Sequence, residues 1–154
     1  SVGDYQPDDP QLDPVWEYAA EMALPVVLHA GHAADGHTEE AELRPVAEVA
    51  RRHPEARVII AHCGHNAAEA ALRLVAAHPG VHADLTPVIH HPVAAPPAQL
   101  AALAGKLLFG SDAPNTGLTA ARLLGRLAHP DVPGEARTAI TGGTARRLLS
   151  EVRA

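Results

Sequence analysis

The 154-residue chain predicts an α/β fold with a parallel sheet, on three observations. Short apolar, β-branched runs alternate with amphipathic stretches at the spacing of βα units. Two of the runs end in a histidine followed within two residues by glycine, Val26-Val27-Leu28-His29-Ala30-Gly31 and Val58-Ile59-Ile60-Ala61-His62-Cys63-Gly64, and a third ends at Gly110-Ser111-Asp112. The two histidines lie 33 residues apart (His29 to His62), which is about one βα unit. Parallel strands share one C-terminal rim, so the residues at their ends converge there.

Taken in order, residues 1–11 are polar and proline-bearing and read as a loop. Asp13-Pro14 has the form of an N-cap followed by proline at the first helical position, and the helix runs from there to Pro25. Val26 to Leu28 form the first strand. A glycine-containing loop, His32 to His37, leads to a helix opening at Thr38-Glu39-Glu40, whose apolar face is Leu43, Val46, Val49 and Ala50. Val58 to Ala61 form the second strand. Asn66 and Glu69 then match a capping box for a third helix with a stripe of Leu72, Val75 and Ala76. The third strand is Val81 to Thr86, and the proline-rich loop 87–97 carries His90 and His91. Pro96-Pro97 starts a short helix, and Lys106 to Ser111 form the fourth strand. The remainder, Leu118 to Arg153, is helical, broken at Pro130, Pro133 and Gly142-Gly143. The order is α followed by four βα units.

Composition narrows the function classes. A formal charge of −6 with dispersed basic residues argues against a nucleic-acid surface. No apolar run reaches the ~20 residues that span a bilayer, so neither nucleic acid nor membrane is an expected partner. A lone cysteine, Cys63, excludes an internal disulfide and suits a reducing, cytoplasmic compartment; beside His62 it reads as a small buried filler rather than a nucleophile. Aromatic residues make up only 3%, so the core has to be built from Ala, Val, Leu and Ile. Of 11 histidines, His53, His78 and His129 each precede a proline at a helix end, where the ring complements the helix dipole.

The segments Pro25–Gly31, Val58–Gly64 and Leu107–Pro114, with the closing Ile140-Thr141-Gly142-Gly143-Thr144-Ala145-Arg146-Arg147-Leu148-Leu149, resemble the amidohydrolase superfamily. The resemblance is to its amidohydrolase-2 group, which includes aminocarboxymuconate semialdehyde decarboxylase, and covers nearly the whole chain. Thr144 departs from the asparagine usual at that point of the group.

The resemblance implies a (β/α)8 TIM barrel, for which about 250 residues are needed. Four βα units then correspond to strands five to eight, and residues 1–154 form a single amidohydrolase-like domain lacking the first half of the barrel. The first-strand His-x-His pair that supplies two metal ligands in the family has no counterpart, because no H-x-H occurs in the sequence. By the same resemblance His29 is a metal ligand, His62 a catalytic acid/base, and Asp112 both a metal ligand and the carboxylate that takes a proton from metal-bound water. The implied cofactor is a divalent metal, zinc first and manganese second, which brings the pKa of bound water towards ~7. His32 and His65, each three residues beyond a motif histidine, are candidate substrate contacts or substitute ligands, and His90 is a candidate substrate contact. Asp84 is open between a structural and a site role.

The implied function is a metal-dependent hydrolase or non-oxidative decarboxylase acting on a small carboxylated or lactone- or amide-like molecule, with activity that needs the first half of a barrel from a separate N-terminal half-barrel chain or otherwise. The alternative is a half-barrel that pairs with itself through its open strand edges, a homodimeric binding or assembly module without catalysis.

Overall fold

Four parallel strands pair in the order of the chain, β1 (Pro25–Leu28), β2 (Arg57–Ile60), β3 (Val81–Asp84) and β4 (Leu107–Leu108). The computed structural model describes residues 6–30, 39–87, 93 and 95–153. The helices are α1 (Asp13–Glu21), α2 (Glu39–Arg52), α3 (Ala68–Ala77), α4 (Pro97–Ala102), α5 (Ala120–Leu127), α6 (Gly134–Thr138) and α7 (Thr144–Ser150). A doubly wound sheet reverses its strand order at a switch point; this one runs β1-β2-β3-β4 without reversal. Right-handed crossovers in one direction place the connecting helices on one face, which is the arrangement of half a (β/α)8 barrel.

The pairing register aligns Val26 with Val58, Val27 with Ile59 and Ile59 with His82. Side chains alternate across the pleat. Val58, Ile60, Val81, Ala83 and Leu107 join the main core with Leu43, Val46 and Val49 of α2 and Leu72 and Val75 of α3. The opposite face, which points inward in a closed barrel, carries Val27, Ile59 and His82. Ile59 and His82 are buried there, but Val27 on edge strand β1 is 62% exposed. The core is aliphatic, as the scarcity of aromatics requires; Trp16 is the exception, buried with its indole N–H donating to the Pro7 carbonyl at 2.8 Å.

Several local expectations are corrected. Asp13 is the first helical residue rather than the cap. Its carboxylate accepts from Arg52 at 2.7 Å and faces His53 Nε2 at 3.0 Å, while Asp9 caps the preceding 3₁₀ turn Pro10–Leu12 through the Gln11 amide. Asn66 forms no capping box: α3 begins after Ala67 without a side-chain cap, and Glu69 pairs with Arg73 one turn on at 2.8 Å. The buried stripe of α3 is Ala71, Leu72 and Val75, and Ala76 is exposed. The third strand ends at Asp84, and the fourth is limited to Leu107 and Leu108. Beyond these two residues the Phe109 amide donates to the Ile140 carbonyl, so the chain leaves the ladder for the C-terminal helices. Lys106 ends a 3₁₀ turn instead of opening the strand, and its ammonium donates to the Val75 and His78 carbonyls at the end of α3, where the helix dipole favours a cation.

The expected breaks between the C-terminal helices are present: α5 ends before the 130–133 segment, and the chain kinks between α6 and α7 at Gly142, whose backbone (φ 167°, ψ −20°) is not helical. Thr144, the departure from the family pattern, is buried and donates its hydroxyl to the Ala104 carbonyl at 3.0 Å. That bond seats α7 beside the turn before β4. Glu151 pairs with Arg57 at 2.6 Å, and Arg153 donates to the Met22 and Glu21 carbonyls, so the end of the chain is fastened to α1 and β2. At Gly80 a methyl group would collide with the Ala56 carbonyl oxygen; no other residue lets β3 begin so close to the turn before β2.

Two predictions follow from buried groups. The thiol of Cys63 is fully buried, and burial, then the nearby Asp84 charge, pushes its pKa up to about 12. The thiolate is the nucleophile, so folded protein at pH 8 is expected to resist iodoacetamide and to react once unfolded by urea; rapid alkylation of the folded chain contradicts this. His82 is buried with Nδ1–H donating to the Gly80 carbonyl at 3.1 Å. Burial, then the cations Arg147, Lys106 and Arg57, hold its pKa below the usual value despite that hydrogen bond. The unfolded chain therefore binds more protons than the folded one between the folded pKa and about 6.5. Stability from neutral His82 is complete above about pH 6.5 and declines as pH falls towards the folded pKa. Urea denaturation of His82→Gln should show a shallower acid-side loss than the parent, and identical slopes contradict the assignment.

Candidate metal centre

The site begins at the C-terminal ends of β1 and β2. His29 directly follows β1 and is exposed. After β2 the chain enters the turn Ala61–Ala67, in which His62, Cys63, Gly64 and His65 all have positive φ, at 52°, 48°, 73° and 52°. Left-handed backbone costs L-residues roughly 1–2 kcal/mol each, so the surroundings must hold the turn in place. Gly64 supplies the one position without a Cβ; a methyl there would approach Ala71 Cβ to 3.2 Å. Cys63 packs beneath the turn in the core.

The main clamp is Asp84, the last residue of β3. Its Oδ1 accepts from the His62 backbone amide at 3.1 Å and from the Thr86 amide at 3.0 Å. The neighbouring strand thus fixes the point at which β2 becomes the left-handed turn. The run of positive φ folds the chain back on itself and brings the rings of His62 and His65 together, their centroids 4.7 Å apart.

The result is a cluster of three imidazoles. His29 Nε2 and His65 Nε2 are 3.1 Å apart. The ring centroids are separated by 5.0 Å for His29–His62, 4.7 Å for His29–His65 and 4.7 Å for His62–His65. One ligand nitrogen from each of the three lies within 4.8 Å of the others. The Nδ1 atom of His62 is shut off from solvent and has no hydrogen-bond partner among the described residues. Such a buried, unsatisfied nitrogen costs on the order of 1–3 kcal/mol. Imidazole nitrogens are donors for zinc and similar divalent ions, and three rings with ligand atoms this close fit that role.

Of the residues selected from sequence, His29, His62 and His65 meet at this rim. Asp112 does not enter the cluster of ligand atoms within 4.8 Å of one another. It lies past the end of β4 with φ 51°, its carboxylate accepting from Asn115 Nδ2 at 3.1 Å and its carbonyl accepting from the Asn115 and Thr116 amides. His32 and His90 fall outside the described residues. Sequence reasoning missed two features: the clamp from Asp84 to the His62 amide and the contact of Asn115 with Asp112. Asn115 follows Asp112 by three residues, the spacing of a turn, and this was the available signal. Asp84 gave none, because its bond depends on the register between strands.

An amidohydrolase family model matches residues 1–150. No protein of curated function matches the chain. Among solved structures, an uncharacterised TIM-barrel protein from Bordetella bronchiseptica aligns with a TM-score of 0.76 at 18% identity, covering 97% of this chain and 54% of its own. An amidohydrolase from Burkholderia multivorans with bound zinc aligns at 0.68 and 22% identity, covering 94% and 58%. A dihydroxybenzoic acid decarboxylase from Polaromonas, with bound manganese and 2-nitroresorcinol, aligns at 0.68 and 17% identity, covering 100% and 58%. The chain therefore spans little more than half the length of these barrels. The matched motifs, the strand order and the family model agree, and the chain belongs to the amidohydrolase family.

Proposed function

We propose that this chain contributes the second-half rim of a metal-dependent amidohydrolase-type active site, one that hydrolyses or decarboxylates a small carboxylated, lactone-like or amide-like substrate. The observation that carries this reading is the convergence of His29 and His62 at adjacent strand ends in a chain of this family. When bound, a divalent metal acidifies water and polarises a carbonyl or carboxylate oxygen of the substrate. His29 would hold the metal from the end of β1. His62 would carry the proton to or from the reacting group, a role that typically contributes 10²–10⁴-fold. Its backbone amide is already fixed by Asp84, which holds the main chain from which the ring projects and leaves both ring nitrogens unused by that bond. Asp112 would complete the rim as the carboxylate that ligates the metal and accepts a proton.

The inward face left open at Val27 supports a further requirement, a complementary set of four βα units in the same chain or another. That set would bring the His-x-His pair this sequence lacks. The zinc- and manganese-bearing structures of similar fold make these two ions the first to supply.

The test is an assay with zinc or manganese against a panel of lactones, cyclic amides and hydroxybenzoates, run on the chain alone and together with an amidohydrolase N-terminal half bearing the His-x-His strand. Turnover is expected in the combination and should fall at least about 100-fold in His62→Asn and in Asp112→Asn. Metal-independent turnover, or turnover that survives both substitutions, contradicts the reading.

A further inference from the structure

The geometry points to a second site, at the opposite end of the strands from the histidine rim. There a cavity walled by Arg57, His82, Lys106 and Arg147 binds a tetrahedral oxyanion, either inorganic phosphate or the phosphate group of a small metabolite. The site lies outside the proposed active site and does not depend on that reading.

The cavity measures about 710 Å³, within the roughly 300–1,000 Å³ of small-molecule sites. Arg57 opens β2, His82 stands at the base of β3, Lys106 directly precedes β4, and Arg147 belongs to α7. Four separate elements thus bring a basic side chain to one space. Apolar wall is present as well, at Ala102 and Leu103, for the body of a small metabolite.

The donors are held but not exhausted. Lys106 gives two hydrogen bonds to the Val75 and His78 carbonyls; the end of α3 is thereby satisfied, and the third ammonium proton remains. Arg57 donates to the Ala23 carbonyl and Arg147 to the Gly105 carbonyl, which fixes both guanidinium groups while each keeps further N–H donors. One carboxylate, Glu151, serves both arginines, at 2.6 Å from Arg57 and 3.5 Å from Arg147. The other carboxylate on the wall, Glu55, is exposed to water. Three cations therefore face two carboxylates, and guanidinium forks match the oxygens of phosphate.

His82 is the buried member, only 4% exposed. Its Nδ1–H is used on the Gly80 carbonyl, so Nε2 is the ring nitrogen left for the cavity. Protonated, that nitrogen donates to an oxyanion. Arg147, Lys106 and Arg57 oppose this protonation in the free chain, and a bound anion offsets their repulsion. Anion binding therefore draws a proton onto His82, and by linkage a lower pH strengthens anion binding. The charged groups sharing the cavity with the ring are Arg57 on β2, Glu55 in the turn before it, Lys106 before β4, and Arg147 and Glu151 on α7. Among these types only imidazole ordinarily titrates near neutral pH.

The experiment is calorimetric titration of the full chain with sulfate, whose charge does not change near neutral pH. One sulfate should bind per chain, more tightly at about pH 6 than at about pH 8, the two sides of the ordinary histidine pKa. His82→Gln should abolish that pH dependence. Arg147→Gln should weaken binding at least about 10-fold, as loss of a charged hydrogen bond does. Lys106→Gln, which keeps a donor for the α3 carbonyls, should show the same loss and guards against a folding failure at Arg147; circular dichroism confirms that each variant is folded. Inorganic phosphate and glycerol phosphate are then compared: tighter glycerol phosphate identifies a metabolite as the ligand, and equal binding identifies the free ion. No sulfate binding by the parent, or full binding in folded Arg147→Gln and Lys106→Gln, overturns the proposal. A pH dependence that persists in His82→Gln overturns it too, because the anion then lies at other histidines.

Discussion

The bond from the Asp84 carboxylate to the His62 amide is the constraint on which the rim depends. A β-strand delivers alternate side chains to opposite faces, so a strand continuing past Ile60 would send His62 and its neighbours apart. The chain instead turns left-handed for four residues, a conformation that is costly for L-residues and persists only when its surroundings determine it. Asp84 receives the first amide of the turn, Cys63 fills the core beneath it, and Gly64 lies close against Ala71. Polar, apolar and steric contacts thus converge on one short segment, and its product is a pair of histidines facing a third.

The parallel order of the sheet makes that local device useful. Because β1 and β2 are adjacent and run the same way, their C-terminal ends open on one side, and His29 needs no special backbone to reach the pair after β2. The C-terminal helices stabilise this arrangement from the opposite end. Arg57 at the start of β2 is tied to Glu151 and to the Ala23 carbonyl, so the strand carrying the turn is fastened at its base as well as clamped at its tip. The strand bases hold the fold and the strand tips gather the histidines, the layout that in barrel proteins separates stability from chemistry.

Much of this was legible in the sequence. The alternation of apolar runs with amphipathic helices identified four parallel strands, and the His29 and His62 motifs picked out two residues that meet at one rim. The three-dimensional relations were not legible. Asp84 and His62 are bonded because of the register between β2 and β3, which no local pattern encodes. Asn66 and Glu69 have the letters of a capping box, but Asn66 is taken up by the turn, the helix begins at Ala68, and Glu69 pairs with Arg73 instead. His65 stood out only as a histidine three residues beyond His62; strand periodicity sends the two to opposite faces, and the positive-φ turn brings their rings together. Thr144 shows the reverse case, a departure from the family pattern that the structure explains through its buried bond to Ala104.

The account rests on three imidazoles gathered by one clamped turn and one strand end. X-ray absorption spectroscopy of the zinc-loaded chain tests this most directly. The account predicts a first shell that includes imidazole nitrogen at about 2.0–2.1 Å with the outer-shell scattering of an ordered ring. A first shell without imidazole nitrogen would contradict it.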